Sequence, residues 1–146
     1  MKIKRKSNFT IMELMIWIFI ISIIGGVMTH NMKGSLTKGR SFKTETAGKQ
    51  AYDILSLQMC SGSTMKSIIR NPGQALKQSG LVQNPKKLLQ DGWGKNFAIL
   101  PVGDDDFILY SKAWVKYLTD EKGLSIEKIE EEFPWGYNSA VISQLP

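Results

Sequence analysis

The feature that most restricts this chain is the run from Phe9 to Met28, FTIMELMIWIFIISIIGGVM, 20 residues that are almost wholly apolar. As a helix such a run measures about 30 Å, the thickness of a hydrocarbon core, and is long enough to span a bilayer. A secretory signal peptide has a shorter apolar core followed by a small-x-small cleavage site, whereas this run is followed by Thr29, His30, Asn31 and Met32. Lys2, Lys4, Arg5 and Lys6 all precede it. The positive-inside rule therefore puts the N-terminus in the cytoplasm and everything after about residue 30 outside it. One residue breaks the apolar pattern: Glu13 lies four positions after Phe9, on the same helical face one turn along. A carboxylate near the bilayer centre costs about 2.5–3.5 kcal/mol on insertion scales. Either Glu13 lies shallow enough to reach headgroups and the leader lysines, or it has a partner.

With 146 residues, the chain has room for one modest domain beyond the apolar run. The formal charge of +6 would suit nucleic acid, but four of the positive charges form the N-terminal cluster, which reads as a membrane-orientation signal instead. No nucleic-acid partner is expected. The lone Cys60 has no partner for an intramolecular disulfide, and it and the lone His30 match no familiar zinc spacing.

Basic leader, then Phe9-Thr10-Ile11-Met12-Glu13-Leu14, then an unbroken apolar run: this resembles the N-terminus of type IV pilins and of the pseudopilins of type II secretion systems. The resemblance implies that a prepilin peptidase cuts on the cytoplasmic side, between Asn8 and Phe9, and that the new amine of Phe9 is methylated. It also implies that Glu13 meets the N-terminal amine of a neighbouring subunit in a filament, which would give the intramembrane charge its partner. The family nearly always has Gly just before the cut, where this chain has Asn8. Gly lies extended in a protease site with no side chain to accommodate, while Asn is bulkier and polar. Either the cognate peptidase tolerates Asn8 or the protein works uncleaved.

A second resemblance lies in Leu88-Leu89-Gln90-Asp91-Gly92-Trp93-Gly94-Lys95-Asn96-Phe97, which is similar to the Asp-x-Trp-Gly-x-x-aromatic segment of the major pseudopilin. It leads into Phe107-Ile108-Leu109-Tyr110-Ser111, similar to the strand that closes that family's small sheet. Pro72-Gly73-Gln74-Ala75-Leu76 and Pro85 fit the family's short second helix and loop, and beyond about residue 112 no family pattern continues.

Read from the residues alone, Met32 and Leu36 continue a helical stripe that Ala47, Ala51, Ile54 and Leu55 resume, so the helix should reach about Ser61. Gly34, Gly39 and Gly48 weaken it, and between Thr37 and Thr46 its apolar face is little more than Phe42. Asn71-Pro72-Gly73 and Ser79-Gly80 bracket a short helix, and Asn84-Pro85 begins a loop. Residues 96–101 and 107–111 read as a β-hairpin joined through Val102-Gly103-Asp104-Asp105-Asp106. A third strand is expected from Ala113 to Leu118, then a short helix capped by Ser125 and ending before Pro134. Trp93, Gly94, Phe97 and Tyr110 are the expected head core, with Trp93 as a plug where backbones approach closely.

Asp104, Asp105 and Asp106 are candidate calcium ligands only by family resemblance, since Ca²⁺ takes six to eight oxygens and no loop here has EF-hand spacing; a solvated turn is the plainer reading. Glu130, Glu131 and Glu132 read as a solvated or partner-facing edge. There is no nucleophile motif, phosphate loop or other catalytic constellation, so the chain reads as a non-enzyme without a required cofactor. The expected architecture is α+β and pilin-like: a leader at 1–8, a membrane or filament-core helix at 9–28, and a stalk helix with a periplasmic head at 29–146. The second half of the long helix should pack on a small antiparallel sheet. The resemblance implies a structural subunit of a pseudopilus, anchored in the inner membrane and driving protein export. Its partners would be copies of itself, minor pseudopilins, inner-membrane secretion components and a prepilin peptidase. The alternatives are a minor pseudopilin, a type IV pilus or competence pilin, or an uncleaved single-pass protein with a partner-binding external domain.

Overall fold

The structure, a computed structural model, describes residues 10–145, with backbone alone at residues 28–31. Asn8 and Phe9, the expected processing site, lie outside the described residues. The fold is α+β. Helix α1 (Ile11–Cys60) is followed by α2 (Met65–Arg70), α3 (Pro72–Gln78) and α4 (Pro85–Leu88). Strands β1 (Ala98–Val102) and β2 (Asp106–Tyr110) come next, then α5 (Lys112–Asp120), α6 (Ile126–Glu132) and α7 (Ser139–Ile142). The chain divides into two compact units, Met1–Thr37 and Lys38–Pro146, and α1 contributes to both.

In the N-terminal unit α1 starts at a cap. Thr10 Oγ1 accepts from the backbone N–H of Glu13 at 3.3 Å, and the Thr10 carbonyl accepts from Leu14 N–H at 3.2 Å. Thr10-Ile11-Met12-Glu13 thus has the Ser/Thr-x-x-Glu spacing of a capping box, with an acid in the first turn where the helix dipole favours it. From there to Val27 the large apolar side chains are exposed, among them Ile11, Phe19 and Ile21, each about two-thirds exposed or more. Among the described residues no single helix is long and apolar enough to cross a membrane; the segments Ile11–Val27 and Met32–Cys60 meet that test only together, as a bent pair.

The C-terminal unit holds the core. Its part of α1 buries Ser41, Thr44, Ala47, Gly48, Ala51, Ile54 and Leu55, a stripe at three- and four-residue steps that runs further toward the N-terminus than its apolar residues do. The polar stretch therefore does have a buried face, made by the small side chains of Ser41 and Thr44, while Phe42, the residue expected to supply that face, is 71% exposed. Gly48 is required rather than merely tolerated, because the ring of Trp135 occupies the space a Cβ would fill.

The two strands pair antiparallel with Leu100 opposite Ile108 and Val102 opposite Asp106, joined by a tight turn at Gly103. Phe107, Ile108 and Leu109 are all buried, so β2 is covered on both faces. Its outer edge is engaged as well: Leu109 N–H donates to the carbonyl of Trp135 at 2.8 Å, which closes the edge to further strand pairing.

The expected third strand at 113–118 is instead helix α5. Ser111 caps it, its Oγ accepting from Trp114 N–H, and Trp114, Tyr117 and Leu118 bury one face at i, i+3 and i+4. A helical period with a Ser cap outweighs the β propensity of Trp, Val and Tyr. The loop expected from Asn84 contains α4, with Asn84 capping Lys87 N–H and Pro85 in the first turn. Ser125 caps α6, which ends at Glu132.

Candidate assembly surface

Two regions carry the chemistry that could join this chain to others: the apolar first part of α1, and the surface of the C-terminal unit around the Asp91 turn.

In the first, Glu13 is exposed in the opening turn of α1, amid exposed apolar side chains at Ile11, Met12 and Leu14. The structure thus gives the carboxylate a local reason to be there, since it sits where the helix dipole stabilises an anion. The side chains of Ile16, Ile20 and Ile24 repeat at four-residue steps, the pattern by which one helix seats its ridge against another or against lipid. Phe9, the expected partner of Glu13 in assembly, is outside the described residues.

In the second, the turn from Asp91 to Lys95 is organised by one buried carboxylate. Asp91 is 1% exposed; its Oδ1 accepts from Trp93 N–H at 2.9 Å and Lys95 N–H at 2.8 Å, and its Oδ2 accepts from Ser111 Oγ at 2.8 Å. One side chain therefore ties the turn to the residue that caps α5. The turn also lies against α1. Gly92 N–H donates to Thr44 Oγ1 at 2.8 Å, and a Cβ at Gly92 would meet the backbone carbonyl of Arg40. Lys43 Nζ donates to the Asp91 carbonyl at 3.4 Å. Gly94 has φ +82°, which an L side chain adopts only with strain.

Of the expected core residues, Phe97 is buried, whereas Trp93 and Tyr110 are half-buried and packed against the core, and Gly94 is exposed in its turn. Trp93 is not the central plug. Its ring lies 6.1 Å from that of Tyr117, at the edge of a cluster whose centre is Trp114, fully buried, stacked on Trp135 at 5.2 Å and edge-on to Phe133 at 4.9 Å. Trp114, Phe133 and Trp135 lie beyond the reach of the family resemblance. The signal that could have found them was aromatic spacing: three large rings within 22 positions of the C-terminal segment.

The aspartates at 104–106 lie in the turn between β1 and β2 and at the start of β2. Asp104 and Asp105 are exposed, and Asp106 Oδ1 already accepts from Tyr52 Oη at 3.0 Å and from Phe107 N–H at 2.8 Å. Among the described residues no group of three or more His, Cys, Asp or Glu side chains could hold a metal ion. Burial, and then the hydrogen bond to Asp106, hold the Tyr52 phenol above its ordinary pKa; burial and the neighbouring Tyr137 do the same for Tyr110.

Sequence reasoning did not identify a groove along α1. Phe42, Lys43, Ala47, Leu81, Val82 and Lys87 are among its lining residues, and its volume is about 490 Å³. Phe42 and Leu81 stand 71% and 65% exposed at its sides.

No protein-family model matches the chain, and neither does any solved structure. Three relatives do, each provisionally named an outer membrane protein. The relative from Chlamydia trachomatis serovar D is 39% identical over 112 residues, covering 75% of this chain and 90% of its own length. Those from Chlamydia muridarum and Chlamydia pneumoniae are each 37% identical, covering 82% and 75% of this chain and 96% and 90% of their own lengths. At that identity and coverage, the chain belongs to the same family as these chlamydial proteins.

Proposed function

We propose that this chain is a membrane-anchored, pilin-like structural subunit, the main building block of a pseudopilus in a type II secretion system, and not an enzyme. The observation that carries this reading is the exposed apolar helix from Ile11 to Val27, which bears one acid, Glu13, in its first turn and continues as the helix on which an α+β unit is built. An apolar surface of this extent must be covered by lipid or by other helices. A lone carboxylate at its start is costly in lipid and useful beside a neighbour's amine. On this reading subunits wait in the inner membrane with the C-terminal unit in the periplasm, are cut before Phe9, and exchange lipid contacts for helix contacts as the filament grows. A minor subunit of the same filament, or a pilus or competence pilin, would share this anchor and differ in partners.

The relatives' names support an envelope location and point to the outer rather than the inner membrane. Separating the two membranes and weighing the intact protein tests both points. The expected product is an inner-membrane chain beginning at Phe9, with or without an added methyl; a full-length chain in the outer membrane would overturn the proposal.

A second reading, an uncleaved single-pass protein whose C-terminal unit binds a partner, is favoured by Asn8, which stands where pseudopilins have Gly. A full-length inner-membrane chain that stays monomeric on cross-linking would establish it.

A further inference from the structure

We propose that the groove along α1 in the C-terminal unit receives the acidic face of α6 from a second copy of this chain, so that the units join head to tail. This rests on the reading that copies assemble, and it adds a surface for their contact.

The groove is apolar at its floor and sides, through Phe42, Ala47, Leu81 and Val82, and basic at its rim, through Lys43 and Lys87, with the exposed Lys86 beside it. Among the described residues no carboxylate lines it. An occupant should therefore present an apolar anchor flanked by acids. Helix α6 has an exposed apolar residue and four acids against one base, the exposed Lys128. Ile126 is 50% exposed, and Glu127 and Glu131, one turn apart, point away from the buried Ile129. Glu130 and Glu132 adjoin them, so four of the chain's 13 acidic residues lie within this one short helix. On a chain of net charge +6, it is the surface most able to neutralise a basic rim. The basic leader, with Lys2, Lys4, Arg5 and Lys6, is the wrong sign for the same place.

Around α1 the groove and Trp135, which follows α6 in the chain, lie on opposite sides: Thr46 lines the groove, while Gly48, about 200° further around at about 100° per residue, faces the Trp135 ring. Among the described residues, none of α6 lines the groove of its own copy. A contact between different patches on two copies is heterologous, and it propagates instead of closing into a pair.

The test uses the full chain in its native membrane, with Cys60→Ser removing the native thiol and Phe42→Cys and Ile126→Cys placed at the two faces. Oxidation should link position 42 of one copy to position 126 of another. Reversing the rim (Lys86→Glu with Lys87→Glu) or the acid face (Glu127→Lys with Glu131→Lys) should each lower that yield about three-fold or more, and reversing both in one chain should restore it. Lys43 is left alone because its amine also holds the Asp91 carbonyl. A yield indifferent to reversal, no rescue in the combined variant, or links from position 42 only to another protein would overturn the inference. If helix-to-helix links through α1 persist while 42–126 links are absent, this contact fails and the filament reading stands; if neither forms, both fall.

Discussion

Asp91 does more for the C-terminal unit than its neighbour Trp93, although the tryptophan is the more conspicuous letter. Replacing Asp91 with Ala leaves the part-buried N–H groups of Trp93 and Lys95 and the buried hydroxyl of Ser111 without their acceptor. At about 1–3 kcal/mol for each stranded polar group, Asp91→Ala should cost about 3 kcal/mol or more and lower the melting temperature by about 10 °C or more, read by near-UV circular dichroism on the full chain in detergent. A change within a degree or two would mean the turn is held by Gly92 and Thr44 instead. Trp114→Ala should cost about 3–5 kcal/mol, as large-to-small changes of a buried aromatic do, and Trp93→Ala clearly less because its ring is only half-buried. The same melting series checks the order; equal effects would place Trp93 back at the centre. The string Asp-Gly-Trp-Gly marked this turn in the sequence, and Gly94 and Phe97 fit a turn leading into a core. What it did not disclose is that the carboxylate faces inward, because the partner hydroxyl of Ser111 is 20 positions away.

Elements were legible where one local rule sufficed. The end of α1 near residue 60, the Pro-started α3, the hairpin around Gly103 and the Ser125 cap each follow from caps, turn residues or period. Two readings failed for the opposite reason. Residues 113–118 are rich in β-formers, and only the hydroxyl of Ser111 together with the spacing of Trp114, Tyr117 and Leu118 makes them a helix. The buried face of α1 at Ser41 and Thr44 carries no apolar signal, since its role is to let the Gly92 turn approach the helix backbone. The link from α1 to β2 has a pH signature. With its folded pKa raised, the Tyr52 phenol stabilises the fold fully below its ordinary value near 10 and loses that contribution as pH rises through the higher folded value. The melting temperature should therefore begin to fall above about pH 10, and Tyr52→Phe should flatten part of the fall. An alkaline profile unchanged by that substitution would assign the loss to other groups.

At the scale of the whole molecule, the chain is two units with different surfaces. The C-terminal unit buries Phe107, Trp114, Phe133 and Trp135 in its core, whereas residues 11–27 present a run of exposed apolar side chains. The apolar run from Phe9 to Met28 marked the exposed apolar part of α1 in the sequence, whereas the division itself falls later, after Thr37. The groove was not legible, because Phe42 and Leu81 are brought together across 39 positions by packing that no local pattern encodes. The central claim, that α1 packs against copies of itself with Glu13 as the specific contact, is most directly tested by paired cysteines along the apolar run. In the full chain in its native membrane, with Cys60→Ser, Ile16→Cys together with Ile23→Cys lets each copy link to two neighbours and should give on oxidation a ladder extending beyond dimers. That ladder should collapse to monomer when Glu13→Ala is added, even though removal of the charge makes insertion easier. A ladder that persists without the carboxylate, or a wild-type chain that never passes the monomer, would contradict it.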